Sequence, residues 1–297
     1  MGEKDIAEKN LEAFNDVFAD IVNVLLFKGN KLMKEKDLES AVKDSMFKAD
    51  GKIHQQERDV SKFWKNGEVR ISIFGFENQT KQDSKMPLRV ISYDGASYKQ
   101  QLLDNEKGKK DDTTKKSLYP VVTLVLYFGT DEKWSTHKNL LSCFNVPEEL
   151  KPFVNDYKIN VFNIAWLSNK TIDMFQSDFK IVAKYFQSIR IKKNYKGSTE
   201  EIRHVDALLK MLSALTGDNS FEEVYNVGNL DKGGVTMCEV VEKIKNEGRN
   251  EGVLAGKAEL IRKMLDAKLV TEQQIADLLK ISVKEVKKIA AKVPVQA

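Results

Sequence analysis

Two apolar runs limit what this chain can fold into. The segment YPVVTLVLYFG, from Tyr119 to Gly129, is continuous and β-branched, which predicts a buried strand near the centre of a sheet. A second strand is predicted over residues 69 to 80, VRISIFGFENQT. Alternate residues of a strand share a face, so Ile71, Ile73, Glu77 and Gln79 lie on one side and Phe74 and Phe76 on the other. Both faces are then largely apolar, as expected of a central strand covered on two sides.

The remaining pattern supplies the cover. Leu11, Phe14, Phe18, Ile21, Val22 and Leu25 recur at helical spacing, with Gly29 as a stop signal, and predict an amphipathic first helix. Residues 55 to 63, QQERDVSKF, predict a strand joined to the next around Asn66-Gly67, a strong hairpin signal. LRVISYDGASYKQQLLDNE reads as a helix broken near Gly95, and EKGKKDDTTKK as a charged loop. KINVFNIAWL predicts another strand, and residues 171 to 228 are mostly helical in spacing. The order helix, hairpin, helix, strand, strand, helices predicts a mixed α/β sheet.

Residues 1 to 234 form the expected main domain with a helical extension, and residues 235 to 297 a tail of different character. The tail opens with a charged helix interrupted by Gly248, Gly252 and Gly256. Each glycine weakens an isolated helix by ~1 kcal/mol relative to alanine. Their spacing of four places them near one face, which suggests close helix packing as the reason. TEQQIADLLKISVKEVKKIAAK then predicts two short helices, Thr271 to Leu279 and Val283 to Ala290, with Gln274 and Glu285 at capping-box spacing from Thr271 and Ser282. This reads as a helix-turn-helix without the usual turn glycine. It is suited either to placing Lys284, Lys287 and Lys288 in a major groove or to packing and dimerisation.

Composition narrows the function. With 48 basic and 44 acidic residues the net charge is +4, so any claim of nucleic-acid binding rests on local patches. One candidate is the basic run SIRIKKNYKG, Ser188 to Gly197, flanked by Tyr185 and Phe186 and containing Tyr195; the alternative is a solvated helix end. Cys143 and Cys238 lie far apart, and His54, His137 and His204 are scattered. A structural zinc site or an H-E-x-x-H protease is therefore not expected. The charged N-terminus and the short apolar runs predict a cytoplasmic protein that does not engage a membrane.

Glu77 poses the chemical question. A carboxylate at the end of a buried strand is costly unless something compensates it. A hard cation such as Mg²⁺, which prefers carboxylate and carbonyl oxygens, is one answer. Asp59, across the hairpin, is the nearest acid that pairing would bring alongside, and Gln79 projects from the same face as Glu77.

These residues also carry a likeness. ERDVSKF together with VRISIFGFENQTKQDSKMPLRVISYDGASYKQQ resembles the recombination-promoting nuclease (Rpn) or transposase group of the PD-(D/E)XK nuclease superfamily. YPVVTLVLYFGTDEKW, Tyr119 to Trp134, resembles that group's second signature, and the glycine-interrupted tail is similar to many members. The resemblance covers most of the chain. It implies a restriction-endonuclease-like mixed sheet flanked by helices, with a helical C-terminal tail. It further implies a Mg²⁺-dependent DNA endonuclease, with Mn²⁺ as an alternative ion, linked to recombination, mobile elements or defence against phage.

Under that resemblance Asp59 corresponds to the motif aspartate and Glu77 to the acid of the E-x-K position. Gln79 stands where the superfamily usually has lysine, and E-x-Q is usual for this group. An amide cannot neutralise developing phosphate charge, so the task falls to metal ions with Lys81 or Arg89. Asp59 and Glu77 are then the expected ligands, Gln79 positions a water and Gln101 assists. Asp20 or Asp16 of the first helix is a candidate further ligand. DNA is the expected partner, and a homo-oligomer is left open. Two competing expectations are a catalytically inactive nuclease fold that binds DNA or supports assembly, and a regulator that recognises operators through the tail.

Overall fold

The computed structural model describes residues 11–41, 44–49, 52–57, 59–66, 69–107, 118–192, 195–227, 234–267 and 269–291. Gly67 of the hairpin turn, residues 108–117 of the charged loop and residues 193–194 of the basic run lie outside them. A 3₁₀ turn, Leu11–Ala13, leads into α1 (Asn15–Leu25). Five strands follow: β1 (Leu38–Ser40), β2 (Asp44–Ala49), β3 (Lys52–Glu57), β4 (Val60–Asn66) and β5 (Val69–Gln79). Next come α2 (Met86–Lys107), β6 (Val121–Tyr127), β7 (Asn160–Asn163), α3 (Asn169–Ile172), α4 (Phe179–Arg190), α5 (Val205–Thr216) and α6 (Ser220–Val227).

The main sheet is five-stranded, in the order β1-β4-β5-β6-β7. The β1–β4 and β4–β5 pairs are antiparallel, whereas the β5–β6 and β6–β7 pairs are parallel. This is the mixed sheet that the two apolar runs predict, with β5 and β6 at its middle. α2 makes the crossover between them, as a parallel pair requires. One face is covered by α1, where Phe18 stacks on Phe76 with ring centroids 4.3 Å apart, and by α4, where Phe186 lies 5.1 Å from Phe128. On the other face Met86 and Val90 of α2 pack with Val125, Tyr127, Trp134 and Ile159. Burying each of these large side chains contributes roughly 1.5–3 kcal/mol.

Three local expectations differ from the structure. The strand expected over 55–63 divides at Asp59: β3 pairs with β2 in a separate hairpin, and β4 pairs with β1 and β5. The chain bends there, and the Asp59 carboxylate accepts the backbone N–H of Asn78. α2 runs through Gly95 without a break. KINVFNIAWL yields only the four residues of β7 before a 3₁₀ turn, Ile164–Trp166. Beside the basic run, half-buried Tyr185 packs edge-on against Tyr195 at 5.2 Å and Phe221 at 5.6 Å, so these rings are engaged with one another beside α6.

Gly129 is fixed by a close approach. A Cβ there would run into the phenol ring of Tyr127, whose hydroxyl donates to the Glu132 carbonyl at 3.1 Å and whose ring packs edge-on against Trp134. Gly129→Ala is therefore expected to cost about 1–3 kcal/mol, read by urea denaturation.

Residues through Met237 form one compact unit, and those from Cys238 onward a second. The second contains most of α7 (Met237–Asp266), then α8 (Glu272–Leu279) and α9 (Val283–Ala291). Ile261, Ile275, Ala276 and Val286 make its core. Thr271 caps α8 in a full capping box with Gln274. α7 is continuous through Gly248, Gly252 and Gly256, and a Cβ at any of them would meet nothing within 4 Å. Close packing among the described residues is thus not the reason for these glycines. No described helix is long and apolar enough to cross a membrane.

Candidate active site

The pleat of β5 sends consecutive side chains to opposite faces, and this splits the Glu-Asn-Gln sequence at its end. Glu77, 2% exposed, points to the α2 face. There Arg89 reaches its carboxylate at 3.1 Å. The same guanidinium donates to the Tyr93 hydroxyl at 3.1 and 3.2 Å and contacts Asp83 at 3.4 Å. Burial works against the charge on Arg89, but Glu77, Tyr93 and Asp83 outweigh it and raise the pKa. Burial and the charge on Glu77 push the Tyr93 phenol up as well.

Asn78 serves the opposite face. Its side-chain amide donates to Glu12 at 2.8 Å, and its backbone N–H donates to Asp59 at 2.6 Å. One residue therefore links two carboxyl groups that come from the 3₁₀ turn before α1 and from the bend before β4. Glu12 is fully buried, and its pKa is pushed up to about 8. Burial is the main cause, the negative charge of Asp59 adds to it, and the bond from Asn78 opposes it. Near neutral pH the Glu12 carboxyl thus holds a proton in preference to a charge.

Sequence reasoning singled out Asp59, Glu77 and Gln79 but missed Glu12 and Asn78. Glu12 meets its partner across 66 residues, and nothing in its neighbours marks it. Gln79 ends β5 half-buried, and its carbonyl accepts the N–H of Phe128. Beyond it Thr80, Lys81 and Gln82 line an open groove of about 610 Å³, shared with Gly129 and Glu132 at the C-terminal ends of β5 and β6. Lys81 is exposed there.

The other predicted residues have structural partners. The Asp20 carboxylate accepts the backbone N–H groups of Gln176 and Ser177, both at 2.8 Å, and so fixes the chain before α4. Asp16 meets His204 Nε2 at 3.1 Å and Arg203 at 3.9 Å. Gln101 clamps the backbone of Tyr119, donating to its carbonyl at 3.1 Å and accepting its N–H at 2.9 Å.

Among the described residues no three acidic, histidine or cysteine side chains gather to hold a metal by themselves. Mg²⁺ needs fewer, since it keeps several waters and is commonly bound through one or two carboxylates plus substrate phosphate oxygens. Glu12 and Asp59 lie close enough for the charge of one to raise the pKa of the other, and a divalent cation would relieve that repulsion. This donor set fits Mg²⁺ or Mn²⁺.

Comparison with known families bears on this geometry. A family model described as "Putative transposase, YhgA-like" matches residues 65–216, just over half of the 297-residue chain. No curated protein and no solved structure matches. The matched span holds β5, α2, β6 and β7, and with them Glu77, Asn78, Gln79 and Arg89. It implies a role connected with transposition or nuclease action on DNA. On the match and the mixed sheet that carries it, the chain belongs to the YhgA-like transposase family, within the PD-(D/E)XK nuclease-like group.

Proposed function

We propose that this protein is a Mg²⁺-dependent DNA endonuclease that hydrolyses phosphodiester bonds, with Mn²⁺ able to serve. The observation that carries the reading is the buried Glu12 carboxyl beside Asp59, both held by Asn78 at the end of the strand that bears Glu77. Glu12 and Asp59 would hold the ion, while Glu77, on the opposite face of β5, holds Arg89. When bound, the ion supplies positive charge that acidifies water and stabilises the phosphate oxygens.

The chain's own residues have separable tasks. Asn78 keeps the two carboxyl groups at one place through two hydrogen bonds. Glu12 exchanges its proton for the charge of the ion. Arg89 holds Glu77 and remains 40% exposed, and one N–H of its five-donor fork, beyond the four given to Tyr93, Asp83 and Glu77, is open to a phosphate oxygen. That gives Arg89 the neutralising role that the Gln79 amide cannot fill. Gln79, half-buried beside the groove, orients water through its amide.

Cleavage of supercoiled plasmid tests the proposal, with purified protein in Mg²⁺, Mn²⁺ and EDTA beside Glu77→Gln. Cutting that needs the divalent ion and falls on the order of 10²-fold or more in the variant is expected, with circular dichroism confirming the fold. Wild-type protein that binds DNA but does not cut it in either metal would overturn the endonuclease and leave a nuclease fold used for binding.

A further inference from the structure

The second unit carries a charged surface that the proposed cleavage site does not use. α8 and α9 are joined by Lys280, Ile281 and Ser282. Lys280 adopts φ 53°, the left-handed conformation that a turn glycine would otherwise supply. Its backbone N–H closes α8 on the Ala276 carbonyl. Ala276 and Ile275 are each 3% exposed and Val286 is fully buried, all three packing with Ile261 of α7. These contacts fix the second helix of the pair: Val286, Ile289 and Ala290 face the core.

The opposite side of α9 is basic. Lys284, Lys287 and Lys288 are all exposed, and their spacing of three and four puts them on one face within the first two turns. The nearby acids are engaged. Glu285 accepts the N–H and hydroxyl of Ser282 at 2.9 and 2.8 Å, which caps α9, and Asp277 accepts from Gln273 at 2.9 Å. Glu272 meets Lys287 at 3.2 Å with both side chains exposed. A pair so placed is worth little and yields readily to a phosphate.

We propose that α9 seats in the major groove of duplex DNA, with Lys284, Lys287 and Lys288 contacting phosphates along its edges. A helix fits that groove, and in a two-helix motif of this kind the N-terminal part of the second helix enters it. Lysine is a point charge, without the bidentate fork of arginine or the paired donor and acceptor of an amide. The surface therefore recognises the duplex backbone rather than a base sequence. It supplies a second contact with the substrate, separate from the acidic site.

Fluorescence anisotropy of a random-sequence duplex tests this with the full-length protein in EDTA, over a salt series. Lys284→Gln/Lys288→Gln is expected to weaken duplex binding roughly tenfold and to reduce the salt slope by about 0.9 per lysine removed. Single-stranded DNA of the same length should lose much less. Unchanged duplex affinity and slope would overturn the proposal, as would equal losses for single and double strands. A change in sedimentation without a change in DNA binding would overturn it too, by assigning the face to a second copy of the chain. The assay runs in EDTA and reads binding alone, so this result stands apart from whether the protein cuts.

Discussion

Replacing Glu12 by glutamine is expected to flatten the dependence of stability on pH between about 5 and 8. The folded chain holds the Glu12 proton up to about pH 8, whereas the ordinary carboxyl releases it near 4.5. The folded state therefore binds more protons in this window, and stability must fall as pH rises. The contribution is complete below about pH 4.5 and is lost as pH passes through about 8. At ~1.4 kcal/mol per unit, the wild type should lose on the order of 3–4 kcal/mol over the window through this group. Glu12→Gln keeps a carbonyl that can accept from Asn78 and has no proton to lose, so its unfolding free energy should change far less. Urea denaturation at about pH 5, 6.5 and 8 reads the difference. Parallel curves for the two proteins would mean that Glu12 is not the buried acid described above. Added Mg²⁺ should stabilise the wild type at about pH 8 and the variant less, because an ion that binds only the folded chain stabilises it.

Arg89→Ala is expected to destabilise the protein by about 3 kcal/mol at neutral pH. The substitution leaves the charge of Glu77, only 2% exposed, without the guanidinium that reaches it at 3.1 Å. Removing one partner of a buried pair usually costs ~3–5 kcal/mol, and the partial exposure of Arg89 places the effect at the lower end. Arg89→Lys keeps the charge but loses the fork that spans Glu77, Tyr93 and Asp83, and should cost less. Adding Glu77→Gln to Arg89→Ala should restore part of the loss, because the charge needing compensation is gone. A cost within about 0.5 kcal/mol for Arg89→Ala would place the pair with ordinary surface contacts.

Much of the sheet was legible because strand burial is written in local composition. The β-branched run before Gly129 could only be a covered strand, and it became β6 beside β5. The helix-turn-helix was equally readable from its spacing and its capping pair, and Lys280 adopts the turn conformation despite the missing glycine. The tail glycines were less so: their spacing suggested packing, but no described neighbour approaches them. Gly95 likewise looked like a break and is an uninterrupted part of α2. A lone glycine costs a helix little beside the packing of Met86 and Val90 on the sheet.

The candidate site divides differently. By itself the sequence determined that an acid ends a central strand, and alternation fixed Glu77 and Asn78 on opposite faces. It could not determine what either side chain meets, since those partners come from α2, from the bend at Asp59 and from the turn before α1. Burial decided the rest. It turned Glu12 into a proton-holding carboxyl, gave Glu77 to Arg89, and engaged Asp20 and Gln101 with backbone groups. Desolvation and long-range hydrogen bonding depend on which segments the fold brings together, and the order of residues along the chain carries no record of that distance.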